Sequence, residues 1–151
     1  MPAVSDPVSL PHTWRPLGVR IAAAGLGTML AVVVVFAWVS FDAETRAAFT
    51  AFQLATLIAL ALLAFGLGHA LARSRVVAES DRLVVVNGYR RREFEYAAVV
   101  EAHLPPGAPW VTLDLDDGTT VSAMGIQGSD GVRAQTALRE LRAVLNAATA
   151  G

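Results

Sequence analysis

The sequence predicts an α+β membrane protein, in which a two-helix transmembrane hairpin precedes a small antiparallel β-barrel or sheet of six to seven strands and a C-terminal helix. Three observations predict this class. The chain of 151 residues is 54% hydrophobic and only 17% charged, whereas soluble domains carry about 25% charged residues. Two long windows lack any Asp, Glu, Lys or Arg. After residue 75, short apolar runs alternate with turn residues.

The composition excludes several classes of function. Twelve basic and 13 acidic residues give a formal net charge of −1, which is not the strongly basic balance typical of nucleic-acid-binding proteins. The chain has no cysteine, so disulfides, thiolate zinc sites, iron–sulfur clusters and cysteine nucleophiles are excluded. We therefore expect no nucleic-acid partner, no metal and no cofactor.

The two charge-free windows are candidate transmembrane spans. The first covers residues 21–41, and a helix of this length is about 31 Å long, close to a hydrocarbon core of about 30 Å. The second covers residues 47–72 and is long enough to cross the bilayer with tilt. Since only residues 42–46 connect them, we expect a tight external turn between two antiparallel helices.

The placement of arginine predicts the orientation of this hairpin. Arg15 and Arg20 precede the first span, and Arg73 and Arg75 follow the second, whereas the connector holds one arginine beside two acidic residues. Positive residues near the ends of spans are retained on the cytoplasmic side. We therefore expect a multi-pass protein of the cell (inner) membrane, with a leader at 1–20 and both termini in the cytoplasm.

Aromatic and small residues suit the same hairpin. Trp38 and Phe41 near the outer end, and Trp14 near the inner end, are candidate interfacial anchors. We expect the first 13 residues to be a disordered leader. Alanine and glycine at four-residue spacing would let the helices approach closely, although the abundance of these residues explains the pattern nearly as well. The two rows are Ala23, Gly27, Ala31 and Ala64, Gly68, Ala72.

Residues 76–147 are predicted to form a cytoplasmic domain of short antiparallel strands. The strands are expected at about 76–79, 82–86, 89–95, 99–104, 110–115 and 119–124. Asn87 and Gly88 are predicted to form a two-residue hairpin turn, because both residues tolerate positive φ.

The last predicted element is an amphipathic helix that packs on this sheet. Ser129 and Asp130 are its N-cap candidates. Apolar residues at three- and four-residue spacing predict its buried face. They are Ala134, Ala137, Leu138, Leu141, Val144 and Leu145.

Three stretches carry a resemblance to a known family: DRLVVVNGYRRREFEY, PWVTLDLDDGTTVSAMGIQGSD and LRELRAVL. With the preceding hairpin, they make the chain similar to actinobacterial membrane proteins related to low molecular weight protein antigen 6. The cytoplasmic part of those proteins is a bacterial pleckstrin-homology (PH) domain, so the resemblance implies a PH-like fold from about residue 76 to residue 146. It does not extend to inositol-lipid binding, because the turn at residues 79–81 is acidic and lacks the spaced basic residues of phosphoinositide binders.

The basic run Arg90-Arg91-Arg92 is the candidate binding surface for lipid headgroups or an acidic partner. Alternation along a strand would place Arg90 and Arg92 on one face and Arg91 on the other. The alternative is a charged strand whose arginines pair with nearby glutamates. The candidate glutamates are Glu93, Glu95 and Glu101.

Other polar groupings have simpler structural interpretations. The acidic stretch before Gly118 lacks the spacing of a calcium loop and is interpreted as a solvated turn. His103, Asp114 and Ser122 come from regular strands without a nucleophile elbow, so we expect no catalytic site. The glycines before the final helix lack a Walker lysine and are interpreted as a loop and cap.

These observations predict a non-enzymatic, membrane-anchored module that presents a cytoplasmic surface to protein partners or lipid headgroups. The alternative is an accessory subunit of a membrane transport or envelope-assembly complex whose helices form the interface. Residues 76–151 hold seven Arg against ten acidic residues, a net charge of −3, which favours a protein partner over general attraction to anionic lipid. The identity of that partner and the formation of a homo-oligomer are left open by the sequence.

Overall fold

The computed structural model describes residues 8–150, so the first seven residues of the predicted leader lie outside the described residues. In chain order the elements are β1 (His12–Trp14), α1 (Leu17–Ser40), α2 (Ala43–Ala48), α3 (Ala51–Arg73), β2 (Arg75–Ala78), β3 (Arg82–Asn87), β4 (Arg90–Glu95), β5 (Val99–His103), β6 (Trp110–Leu115), β7 (Thr120–Gln127) and α4 (Val132–Thr149). Single 3₁₀ turns precede β5 and α4.

Helices α1 and α3 are the two long apolar helices that the sequence predicts. They have 24 and 23 residues and are long and apolar enough to cross a membrane. None of the residues in either helix is buried within the chain. A Cβ added to Gly68, near the end of α3, would lie 3.9 Å from the Cβ of Ala23, near the start of α1. The helices therefore run antiparallel, and this is one contact that the rows of small residues make.

The connector between these helices differs from the predicted tight turn at 42–46. The Asp42 carboxylate accepts a hydrogen bond from the Thr45 amide at 2.7 Å and starts the short helix α2. Thr50 and Gln53 then form a capping box that starts α3 at Ala51. Because α2 and α3 each have their own N-terminal cap, they are separate helices. The second long helix therefore starts at Ala51, four residues after the start of the charge-free window at residue 47.

The strands form two antiparallel sheets, in the orders β1-β2-β3-β4 and β5-β6-β7. The six predicted strands correspond to β2–β7, and β1 is a seventh. The prediction of a disordered leader is wrong for β1, because His12 pairs with Ala78 and Trp14 with Val76 in the first sheet. The N-terminal segment is thus part of the domain that follows the helices.

The hairpin between β3 and β4 turns one residue later than predicted. Asn87 pairs with Arg90 and closes the ladder, so the two turn residues are Gly88 and Tyr89. Gly88, the first turn residue, has φ +60°. Tyr89, the second, has a negative φ, like every non-glycine residue in 8–150. This combination is typical of a type II′ turn. The Asn87 side chain instead reaches β7, where it donates to the Ser122 carbonyl at 2.5 Å and accepts from the Met124 amide at 3.0 Å.

The hydrophobic core combines residues from both sheets and α4. Leu83, Val85 and Leu113 are among its fully or almost fully buried side chains. The predicted buried face of α4 is confirmed, since four of its larger residues and Ala134 are buried and Ala137 packs against them. The buried larger residues are Leu138, Leu141, Val144 and Leu145. The predicted cap is wrong, because α4 begins after Gly131 without a side-chain cap.

Candidate functional site at the junction of the helices and the domain

The start of α1 is attached to the C-terminal domain through Asp130. The first amide groups of a helix have no partner within it, and Pro16, at the N-cap position, provides no side-chain hydrogen bond. The two oxygens of the Asp130 carboxylate accept from the amides of Leu17 at 2.9 Å and Gly18 at 2.7 Å. The residue predicted to cap α4 therefore caps α1, about a hundred residues earlier in the chain.

The end of α3 is attached to the domain through the β3–β4 turn. Ser74 is fully buried; its hydroxyl accepts from the Gly88 amide at 2.9 Å and donates to the Ala70 carbonyl at 3.2 Å. The Tyr89 hydroxyl lies 2.9 Å from Nδ1 of His69, which is the histidine inside the second charge-free window. These contacts hold the turn against the last turn of α3.

A cavity of about 610 Å³ lies beside this attachment, between the end of α3, the β3–β4 turn and β7. We call it the junction groove. Its lining is apolar towards the helix and the core, and polar towards β4 and the start of β7. The lining residues are Ala70, Leu71, Ser74, Val85, Asn87, Gly88, Tyr89, Arg90, Arg92, Thr120, Val121, Ser122 and Met124.

The three arginines of β4 are divided between its two faces, as alternation predicts. Arg90 and Arg92 line the junction groove, opposite Asn87 and Val85 of β3. Arg91 instead forms an ion pair with Glu93 at 2.8 Å. The predicted pairing with a nearby glutamate thus occurs at Arg91, whereas Arg90 and Arg92 have no ion pair within the described part of the chain.

The opposite end of the β3–β4 hairpin is a closed cluster of charges around Arg82. Its guanidinium contacts Asp81 at 2.7 Å and Glu93 at 2.9 Å, and Glu79 lies 3.8 Å away. Hydrogen bonds from Arg82 lower the pKa of the Asp81 and Glu93 carboxyls, and the same contacts raise the pKa of Arg82. Arg82 therefore offsets part of the negative charge of the acidic β2–β3 turn.

The strand order, the two sheets and the C-terminal helix agree with a known family. Residues 73–143 match the family model of the bacterial PH domain. The match covers β2–β7 and most of α4, so the predicted PH-like fold is confirmed. A comparison with curated proteins and with solved structures finds no match.

Strand β1 lies outside the matched residues, yet it completes the first sheet of the PH-like domain. Trp14 at its end is only 6% exposed, and its Nε1 donates to the Glu140 carboxylate of α4 at 2.8 Å. The prediction that Trp14 is an interfacial anchor is therefore wrong. At the other end of the helices, the ring centroids of Trp38 and Phe41 lie 5.7 and 6.0 Å from that of Phe49. Their role as interfacial anchors stays a prediction.

The predicted membrane-flanking arginines lie at one end of the helix pair. Arg15 and Arg20 are at the start of α1, and Arg73 and Arg75 are at the end of α3 and the start of β2. Because the helices are antiparallel, all four are at the end that joins the PH-like domain. The Arg73 guanidinium carbon lies 5.6 Å from the centroid of the Tyr89 ring, a cation–π distance.

The grouping of His103, Asp114 and Ser122 is only partly brought together. His103 Nδ1 lies 3.3 Å from the Asp114 carboxylate. Thr112 stands between His103 and Ser122 in the ladder, so their backbones are two strand spacings apart, about 10 Å. The Asp117 carboxylate accepts hydrogen bonds from Thr119, which lower its pKa. Within residues 8–150, no group of three His, Asp or Glu side chains is placed to hold a metal ion.

Sequence reasoning missed the roles of Asp130, Ser74 and Asn87. Each makes hydrogen bonds to a segment that is distant along the chain, or to a turn in another element. Ser74 follows the second charge-free window directly, and a polar residue there is unremarkable by composition. Its complete burial is visible only in the fold.

Proposed function

We propose that the chain is a membrane-anchored PH-like interaction module. In this proposal α1 and α3 cross the cell (inner) membrane, and both termini lie in the cytoplasm. There the domain presents a surface to protein partners or lipid headgroups. The PH-domain family is generally non-catalytic, which favours an interaction module over an enzyme. The order of a helix hairpin followed by the PH-like domain also supports kinship with the actinobacterial proteins related to low molecular weight protein antigen 6.

The observation that carries the proposal is the direct attachment of both long helices to the domain. Asp130 caps α1, and the β3–β4 turn is hydrogen-bonded to Ser74 at the end of α3. A domain held in this way would sit at a fixed position against the bilayer, with one end of its sheets at the surface. A flexible tether would leave that orientation free.

The arginines support a cytoplasmic domain. Four lie at the domain end of the helix pair, while the connector carries Arg46 together with Asp42 and Glu44. A span pair with this bias is retained with its basic end in the cytoplasm.

Cysteine labelling tests the topology in this cysteine-free chain. Glu44→Cys and Asp117→Cys are made singly, because both side chains are exposed. With a membrane-impermeant maleimide on intact cells, we expect labelling at position 44 alone, and labelling at position 117 only after permeabilisation. The parent chain is the unlabelled control. Labelling at position 117 in intact cells would overturn the proposal.

The accessory-subunit alternative is favoured by one observation, the exposed large apolar side chains along α1 and α3. Replacing residues 21–68 with an unrelated hairpin keeps the attachments to the domain and removes those side chains. If in-cell crosslinks to partner proteins persist after this replacement, the domain forms the interface. If they disappear while the chimera remains in the membrane, the helices form it.

A further inference from the structure

We propose that the junction groove binds the phosphate of an anionic phospholipid from the adjoining leaflet, with Arg90 and Arg92 as the phosphate ligands. This inference rests on the proposed membrane anchoring and names one ligand for the domain. It places the lipid at the end of the hairpin opposite the acidic β2–β3 turn.

The position of the groove is the first argument. The Gly88 amide bonds to Ser74, directly after α3, and the ring of Tyr89 lies 5.8 Å from that of His69, centroid to centroid. The β3–β4 turn is therefore level with the last turn of α3. If α3 spans the hydrocarbon core, this is the depth of the lipid headgroups. Tyr89 is 63% exposed there, at the level where membrane proteins place aromatic rings.

The charge of the groove is the second argument. Arg90 and Arg92 are exposed, and neither has a carboxylate partner within residues 8–150. No acidic side chain of that part of the chain lines the groove. Guanidinium groups bind phosphate oxygens through paired hydrogen bonds, and the hydroxyl groups of Thr120 and Ser122 lie in the same lining.

The distribution of ion pairs along the β3–β4 hairpin is the third argument. Arg82, at its far end, is saturated by Asp81 and Glu93, and Arg91 is held by Glu93. The two arginines without acidic partners are thus both at the end beside α3. A net acidic domain can therefore still present a local positive charge to the bilayer, because the acidic residues are concentrated elsewhere.

The apolar part of the lining favours a lipid over a soluble anion as the ligand. Ala70, Leu71, Val121 and Met124 also belong to the lining of the groove. At about 610 Å³ the groove is much larger than one phosphate ion and falls within the range of small-molecule sites. A glycerophosphate headgroup with the first part of its acyl chains matches this combination of charge and apolar surface.

The test uses the purified full chain in detergent and native mass spectrometry, titrating phosphatidylglycerol against phosphatidylcholine. The groove variant is Arg90→Gln with Arg92→Gln. The matched control is Arg91→Gln with Arg139→Gln, which removes the same charge outside the groove. A hydrogen bond to a charged group contributes roughly tenfold in affinity, so we expect the groove variant, which loses two arginines, to lose about a hundredfold in phosphatidylglycerol affinity. The control is expected to stay within about twofold of the parent.

Three outcomes would overturn the inference. The first is an equal loss of phosphatidylglycerol affinity in the groove variant and the control, and the second is no loss of that affinity in either. The third is displacement of the lipid by millimolar inorganic phosphate or an acidic peptide. Circular dichroism and urea unfolding of each variant establish that the fold is kept. The detergent assay does not depend on which side of the membrane the domain occupies. A failed topology test and a failed lipid test are therefore distinguishable.

Discussion

Single side chains link parts of this chain that are far apart in sequence, and Asn87 is the clearest example. An asparagine before glycine is the strongest local signal for a hairpin turn. In the fold Asn87 is the last residue of β3, and its amide bridges to two backbone groups of β7, in the other sheet. The side chain stabilises the approach of the two sheets rather than a left-handed turn.

Replacing this residue with alanine tests its role. In Asn87→Ala, the part-buried Ser122 carbonyl and Met124 amide lose their partner, and each unsatisfied group costs about 1 kcal/mol, the lower end of the range for buried groups. We expect the free energy of unfolding to fall by about 2 kcal/mol or more, measured by urea denaturation of the full chain with tryptophan fluorescence. Asn146→Ala, at an exposed position of α4, is the control. Equal stability of the two variants would contradict this role.

At the scale of elements, the first long helix depends on the C-terminal domain for its cap. Asp130 stands two residues before α4 and satisfies the sequence rule for capping that helix. Its carboxylate bonds to α1 instead, because the start of α1 lies beside the loop before α4. The negative charge there is also favourable to the positive end of the helix dipole.

Removing this cap should loosen the start of α1. For Asp130→Ala we expect a loss of about 1–2 kcal/mol, seen as faster hydrogen exchange at the amides of Leu17 and Gly18. Gly18→Ala should act in the same way, because a Cβ there would lie 2.7 Å from the Asp130 carboxylate. The double variant is then expected to be little worse than either single one. Asp116→Ala is the control, and unchanged exchange in Asp130→Ala would refute the cap.

At the scale of the whole molecule, the segment before α1 and the segment after α3 belong to one domain, so both long helices are attached to it. The segment before α1 forms β1, which pairs with β2 directly after α3, and Trp14 bonds to Glu140, 126 residues away. The entry to α1 and the exit from α3 are therefore held by one sheet. The PH-like domain includes residues on both sides of the helix pair.

Substitutions of Trp14 test how much the attachment of β1 to the domain contributes to the free energy of unfolding. Truncation of a buried aromatic side chain costs about 3–5 kcal/mol, so we expect Trp14→Ala to lower the free energy of unfolding by that amount. Trp14→Phe should be intermediate, because it keeps apolar contact and loses the bond to Glu140. Trp38→Ala, on the exposed side of α1, is the control for thermal and urea unfolding in detergent. A cost below about 1 kcal/mol for Trp14→Ala would mean that β1 is dispensable.

Patterns that depend only on near neighbours were predictable from the sequence alone. The lengths of the charge-free windows predict α1 and α3, short apolar runs between turn residues predict β2–β7, and the apolar spacing from 134 to 145 predicts the face of α4 that is buried. The division of Arg90 and Arg92 from Arg91 also follows from alternation, because successive side chains of a strand point to opposite faces.

Only the tertiary structure decided the attachments and the groove. The partners of Asp130 and Trp14 are more than a hundred residues away, and no local pattern distinguishes a carboxylate that caps its own helix from one that caps another. A three-residue strand at the edge of a sheet has too few residues to show a period. The basic run was visible in the sequence, but the cavity beside it forms where the β3–β4 turn, the end of α3 and β7 meet in the fold.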